Sequence, residues 1–170
     1  TSFESISAAV RIWCVYLGTI VESVGRGRLA EQAAHWLRDQ IFSEALSPSE
    51  QLGAALVVLG YDIFTADFAD GTRLFALIDG LVQREDAAPL RRLYATGWLG
   101  FWKLGCGEYD AALIYLDRAI ALAELYKASA QWLFLRSYRA LVLCHADRQA
   151  ESKALLEDVE SKSDPRNQML

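Results

Sequence analysis

Proline is scarce in this chain of 170 residues: three occur, so no Pro-rich linker divides it. Cysteine is scarce too. Cys14, Cys106 and Cys144 are an odd set with no CxxC pair, which excludes a disulfide framework and points to a reducing, cytoplasmic compartment. His35 and His145 are the two histidines, too few for a zinc site with recognisable ligand spacing. Basic residues are outnumbered, 17 Lys and Arg against 22 Asp and Glu, which argues against a nucleic-acid groove. Long apolar runs are missing. The longest weakly charged stretch near the start, Ala8 to Val21, is broken by Arg11 and falls short of the ~20 residues that span a bilayer. It has no basic leader and no convincing cleavage site, so no signal peptide is expected. The one methionine is Met169, and a chain opening on Thr1 is expected to be processed or cut from something longer. What is abundant is apolar side chain, 53% of residues, enough to exclude disorder and to build one substantial core.

That apolar content is spaced helically. Ala112, Leu113, Leu116, Ala119, Ile120 and Ala123 follow the i, i+3, i+4, i+7 rule, with Asp110, Asp117, Arg118 and Glu124 mostly on another face. Ala54 to Phe64 is the one segment arguable as a strand, but its eleven residues sit in a longer helical frame and predict helix. Ser47-Pro48-Ser49-Glu50 combines a Ser N-cap, Pro at the first helical position and Glu three residues after the cap. Asp86 with Pro89 marks a second start and Ser129 a third. With turns at Gly25 and Gly27, Asp70-Gly71, Gly105 and Gly107, and Ala146-Asp147, helices are expected near 4–24, 28–45, 48–66, 71–84, 88–105, 108–126, 129–145 and 148–162.

A repeat runs through these elements. Gly18, Gly60, Gly100 and Ala140 are separated by 42, 40 and 40 residues. Seven residues after each stand Gly25, Asp67, Gly107 and Asp147, all turn or cap types; twelve after stand Ala30, Thr72, Ala112 and Ser152, all small. A small residue on the first helix of a hairpin facing a small residue on the second lets the two approach closely. Leu116 and Leu156, one turn later, then fill the space between hairpins.

The third copy carries Leu99-Gly100, then Gly107-Glu108-Tyr109-Asp110, then Ala112-x3-Leu116-x2-Ala119. This resembles the tetratricopeptide repeat. It departs from that pattern in having Thr96 for the Trp, Lys103 for the Tyr and no Pro after the second helix. The longer period looks like the extended repeats in the C-terminal halves of bacterial transcriptional activators of the maltose-regulon type and related signalling ATPases. The resemblance covers essentially the whole chain. It implies an all-α solenoid of about four antiparallel hairpins, a right-handed superhelix over residues 1–162 followed by a polar tail, 163–170. It further implies that the first helices of the hairpins line a groove. On this register the groove residues are Val57, Tyr61, Phe64, Tyr94, Phe101, Leu104, Phe134 and Leu141. They are apolar or aromatic, so the carboxylate clamp of chaperone-tail domains is not expected.

The remaining motifs carry less chemistry. Gly25-Arg26-Gly27-Arg28-Leu29-Ala30 fits a dinucleotide fingerprint, but the preceding segment predicts a helix where that motif needs a strand. Arg26 and Arg28 there retain the option of meeting a phosphate or an acidic partner. Cys106, in Gly105-Cys106-Gly107, reads as a small residue in a tight turn; the alternative is a thiol whose pKa a neighbouring helix start would lower. Asp110, Asp117, Glu124, Glu151, Glu157 and Asp158 fall on helix faces expected to be solvated, with nothing pairing them for acid/base work. No catalytic residue, metal or cofactor is expected. The expected function is a non-catalytic protein-interaction module of a larger bacterial regulatory or signalling protein. Its partner would be a protein segment, a neighbouring domain or a second copy, without direct nucleic-acid or membrane contact. The alternative is a small-molecule effector-sensing domain of a transcriptional activator. Apolar stripes at both ends, Ile6, Val10, Trp13 and Leu17 at the first and Ala150, Ala154, Leu155, Leu156 and Val159 at the last, either pack inward or await a cover.

Overall fold

A computed structural model describes residues 6–15, 27–68, 71–84 and 88–163. Among them it is all-helical, with eight helices and no strand: α1 over residues 6–15, α2 (Arg28–Ile41), α3 (Pro48–Thr65), α4 (Gly71–Val82), α5 (Pro89–Gly105), α6 (Tyr109–Leu125), α7 (Ser129–His145) and α8 (Gln149–Ser163). Ala54 to Phe64 lies inside α3, as its length predicts. No helix among the described residues is long and apolar enough to cross a membrane. Two compact units divide the chain, residues 1–87 and 88–170.

In the first unit α3 packs on both α2 and α4. Ser47 accepts the backbone N–H of Glu50 at 3.3 Å while Glu50 accepts that of Ser47 at 3.1 Å, the reciprocal cap expected for α3, with Pro48 opening the helix. Glu50 also accepts the Ser7 hydroxyl of α1, which ties the first helix to this cap. Val10 is buried and Trp13 meets Trp36 at 6.3 Å, so part of the N-terminal stripe turns inward; Leu17 lies outside the described residues. Helix α2 stops at Ile41, four residues short of expectation. Phe42 is its C-cap, Gln51 Nε2 donates to the Ile41 carbonyl at 3.1 Å, and Ser43 Oγ accepts the Ala45 N–H, giving the chain a turn that replaces helical bonds.

In the second unit each helix packs on the next and α5 also touches α7. The turns repeat. Glu108, Ala128 and Arg148 donate their N–H to carbonyls five residues back, at 2.9, 2.8 and 2.9 Å. The preceding residues, Gly107, Lys127 and Asp147, are left-handed with φ of 75°, 55° and 59°. This is the Schellman arrangement that satisfies the last carbonyls of a helix, recurring every 20 residues. The starts fall where expected, with Pro89 opening α5 and Ser129 opening α7; Ala88 and Ala128 are the N-caps, without side-chain hydrogen bonds, and Asp86 lies outside the described residues.

The small-residue columns meet where this unit can test them. A Cβ on Gly100 would lie 3.0 Å from Leu116 Cγ and 3.4 Å from the Ala112 carbonyl oxygen. Ser152 Oγ donates to the Ala140 carbonyl at 2.7 Å, in a buried contact between α8 and α7. The second copy corrects the register. Ala66, not Asp67, is the left-handed residue, with φ of 56°, and Gly71, not Thr72, is buried, Thr72 being exposed. Turn and small residue move back together by one position, so their spacing of five residues is kept. Gly18 lies outside the described residues. At the last helix Val159 is buried and Leu155 half-buried, whereas Leu156 is exposed and fills no gap between hairpins.

Candidate functional site

Helices α5 and α7 run in the same direction, because contacts advance together along both. Gln131 Nε2 donates to the Tyr94 hydroxyl at 2.7 Å. One turn on, a Cβ on Gly97 would lie 3.0 Å from Leu135 Cδ2. Another turn on, the rings of Phe101 and Tyr138 are 4.3 Å apart. Gly97 is what lets α7 come this close, since any larger residue would displace Leu135. Between the helices is a cleft of about 180 Å³ lined by Leu93, Tyr94, Gly97, Trp98, Phe101, Gln131, Phe134 and Leu135. Its walls are aromatic and mutually braced. Trp98 and Phe134 each set an edge against Phe101, at 5.5 and 5.7 Å, and Tyr138 backs Phe134 at 4.8 Å. Phe101 forms the floor at 7% exposure, while Tyr94 and Phe134 stand at the mouth at 46% and 51%. The Gln131–Tyr94 pair is a hydrogen bond at one end of an otherwise apolar wall.

Three of the expected groove residues, Tyr94, Phe101 and Phe134, come together here. Leu104 is half-buried and Leu141 exposed, and neither lines the cleft. Trp102 is buried in the core, although it stands one turn from Trp98. The other three expected residues are in the first unit. Val57 is half-buried, Phe64 is 62% exposed, and Tyr61 lies on a different, polar opening. Leu93, Gly97, Trp98, Gln131 and Leu135 complete the cleft and are not in the expected set. The one-turn spacing of Trp98 from Tyr94 and Phe101 is the signal that marks it.

The polar opening is about 710 Å³, lined by Gly27, Arg28, Glu31, His35, Arg38, Tyr61, Thr65 and Asp67. Beneath it Arg38 of α2 pairs with Asp62 of α3, whose side chain is 2% exposed, and Asp67 stands 4.0 Å from the same guanidinium. Sequence offers no hint of this pair, since residues 24 apart on two helices meet only through packing. Its charges nearly balance, so it reads as a structural tie. Gly27 caps α2 in an extended conformation, and no strand among the described residues supports a dinucleotide site; Gly25 and Arg26 lie outside them.

The remaining chemistry-bearing residues are structural in their surroundings. Asp117 holds Arg139 and Asp158 holds Arg136, each at 2.6 Å, while Glu124 accepts from Trp132 Nε1 at 2.8 Å. Several of the carboxylates expected to be merely solvated therefore tie α7 to its neighbours. The thiol of Cys106 is raised, first by desolvation and then by the Glu108 charge, which sets aside the helix-activated alternative. Burial pushes Cys14 up to about 11. No group of His, Cys, Asp and Glu fit to hold a metal occurs among the described residues.

No family model matches the chain, and no solved structure does. Over 67 residues it is 39% identical to proteins described as apolipoprotein N-acyltransferase in Brucella suis biovar 1 and Brucella melitensis biotype 1. That stretch covers 39% of this chain and 12% of each relative, so the chain spans about an eighth of the curated relatives it matches.

Proposed function

We propose that the chain is a non-catalytic interaction module of tetratricopeptide-like hairpins, which binds a protein segment by taking one large apolar side chain into the α5–α7 cleft. The observation that carries this reading is the size and lining of the cleft. At about 180 Å³ it is below the ~300–1,000 Å³ of small-molecule sites, yet a dry cavity of ~150 Å³ is known to hold a benzene ring. It therefore suits a single phenyl or leucyl group better than a whole effector. Its braced rings keep their shape without a ligand, which lowers the ordering cost of binding. The turns at 20-residue steps and the Gly100–Leu116 and Ala140–Ser152 approaches support a repeat of 40 residues through the second unit. A larger regulatory or signalling protein is the natural setting for such a module.

Panning a random peptide library on the purified chain tests this. The expected result is enrichment of peptides sharing one aromatic or large aliphatic residue, with capture lost in the mouth variant Phe134→Asp while its far-ultraviolet circular dichroism is unchanged. Equal capture by the variant would place binding elsewhere and overturn the reading.

A further inference from the structure

Helices α5 and α7 present an apolar strip longer than the cleft itself. From the mouth residues Tyr94 and Phe134 it continues through Phe101 and Tyr138, whose rings are 4.3 Å apart, to half-buried Leu104 and exposed Leu141. The charged residues between Tyr94 and Leu104 and between Phe134 and Leu141 are Lys103, Arg136 and Arg139, which pair with Glu108, Asp158 and Asp117. Hydrogen-bonding side chains are few there and mostly committed. Gln131 is the one side-chain amide of α5 and α7, and it donates to Tyr94. Ser137 donates to the Leu133 carbonyl of its own helix at 3.0 Å, and Thr96 to that of Arg92 at 2.8 Å. Trp98 and Tyr138 add one polar group each. An extended segment laid along this strip would bring two backbone hydrogen-bonding groups per residue against a surface that can answer only a few of them, and those left unpaired would lose water without compensation. A helix bonds its own backbone and makes no such demand.

Spacing agrees. Phe134 and Leu141 are seven residues apart on α7, which puts them on one face and about 10.5 Å apart along the axis. A helix lying along the strip offers the same interval between its own residues i and i+7, whereas a strand returns to one face at about 6.6 or 13 Å. Resting on the peptide-binding reading above, we infer that the occupant is an amphipathic helix of another protein. Its large apolar side chain at position i enters the cleft, and a second apolar side chain at i+7 lies against Leu141. Its charges stay on the far face, so salt has little influence on affinity.

Model peptides separate this inference from the reading beneath it. Two are Ala-based with balanced Glu and Lys and are locked as helices by lactam bridges on the far face. One carries Phe and Leu seven residues apart; the other carries them five apart, which turns them to different faces. A third has the first sequence, unbridged, with a central Pro that breaks the helix. Affinities are read by fluorescence anisotropy, with the best panned peptide as reference. The locked peptide with the seven-residue interval is expected to bind at least ~10-fold more tightly than either control, and to change by less than ~2-fold between about 50 and 500 mM salt. Leu141→Asp, with unchanged circular dichroism, is expected to remove that advantage while a locked peptide carrying Phe alone binds as before. No binding by the locked peptide, equal affinity of the locked and Pro-containing peptides, a strong salt dependence, or indifference to Leu141→Asp overturns the inference. Peptide binding stands in each of these cases if the panned peptide still requires Phe134. A panned peptide indifferent to Phe134→Asp overturns both. Concentration-dependent self-association that Phe134→Asp abolishes would make a second copy the occupant and would also overturn the inference.

Discussion

Two kinds of glycine position in the second unit carry opposite demands. Gly100 is required for closeness: Leu116 already sits 3.0 Å from where a Cβ would be, so Gly100→Leu is expected to cost ~1–3 kcal/mol, read from denaturant unfolding. Position 127 wants glycine and lacks it. Lys127 holds φ of 55°, in the same turn that Gly107 makes at 75°, and left-handed backbone costs an ordinary residue about 1–2 kcal/mol. Lys127→Gly should therefore raise the unfolding midpoint, and a fall would mean that the lysine side chain is worth more than the strain. Glu50 gives a pH signature. Hydrogen bonds from Ser7 first, then Ser47, hold its carboxyl below the usual value. A depressed acid stabilises the fold above its unfolded pKa, and that contribution is lost as pH falls through the folded one. The stability difference between the parent chain and Glu50→Gln should accordingly be largest near neutrality and vanish in acid. Thiol labelling at pH 7.5 should reach the exposed Cys106 and Cys144 before Cys14, whose pKa of about 11 leaves little thiolate.

At the scale of elements, ion pairs fix which helices stay together. Arg38–Asp62 ties α2 to α3 with the carboxylate almost fully buried. Removing Arg38 alone takes a charged partner from a buried carboxylate, a loss of about 3 kcal/mol, whereas replacing both, as Arg38→Met with Asp62→Leu, should recover most of it. A thermal-melting double-mutant cycle checks this, and additive losses would contradict it. Most helix spans were legible from spacing alone, because a 3.6-residue period over 12–18 residues leaves little ambiguity, and the α3 start was legible because Ser47, Pro48 and Glu50 are local signals. What escaped was decided across helices. The early end of α2 depends on Gln51 reaching Ile41 from the next helix. The one-residue shift at Ala66 and Gly71 depends on where the backbone turns left-handed, and alanine does not advertise that. The cleft was half legible. Tyr94, Phe101 and Phe134 follow from a repeat register, while Gly97 and Gln131 acquire their roles only from the partner helix opposite.

For the molecule as a whole, apolar surplus is distributed unequally. Much of it is buried in helix contacts such as Leu59, Leu99, Leu116 and Leu143, each contributing about 1.5–3 kcal/mol of gross burial free energy. Some remains at the surface of the second unit, at Leu90, Tyr94, Phe134 and Leu141 on α5 and α7. Those two helices also carry no Asp or Glu of their own. The last helix behaves differently, its exposed positions dominated by Glu151, Lys153, Glu157 and Glu160. The proposed binding site is the α5–α7 cleft. Its most direct test is nitrogen-15 chemical-shift mapping of the chain titrated with its best panned peptide. Shifts are expected to concentrate at Tyr94, Gly97, the Trp98 indole, Phe101, Gln131 and Phe134. Shifts centred on α6 and α8, or on the Arg38–Tyr61 opening, with these resonances unmoved, would contradict it.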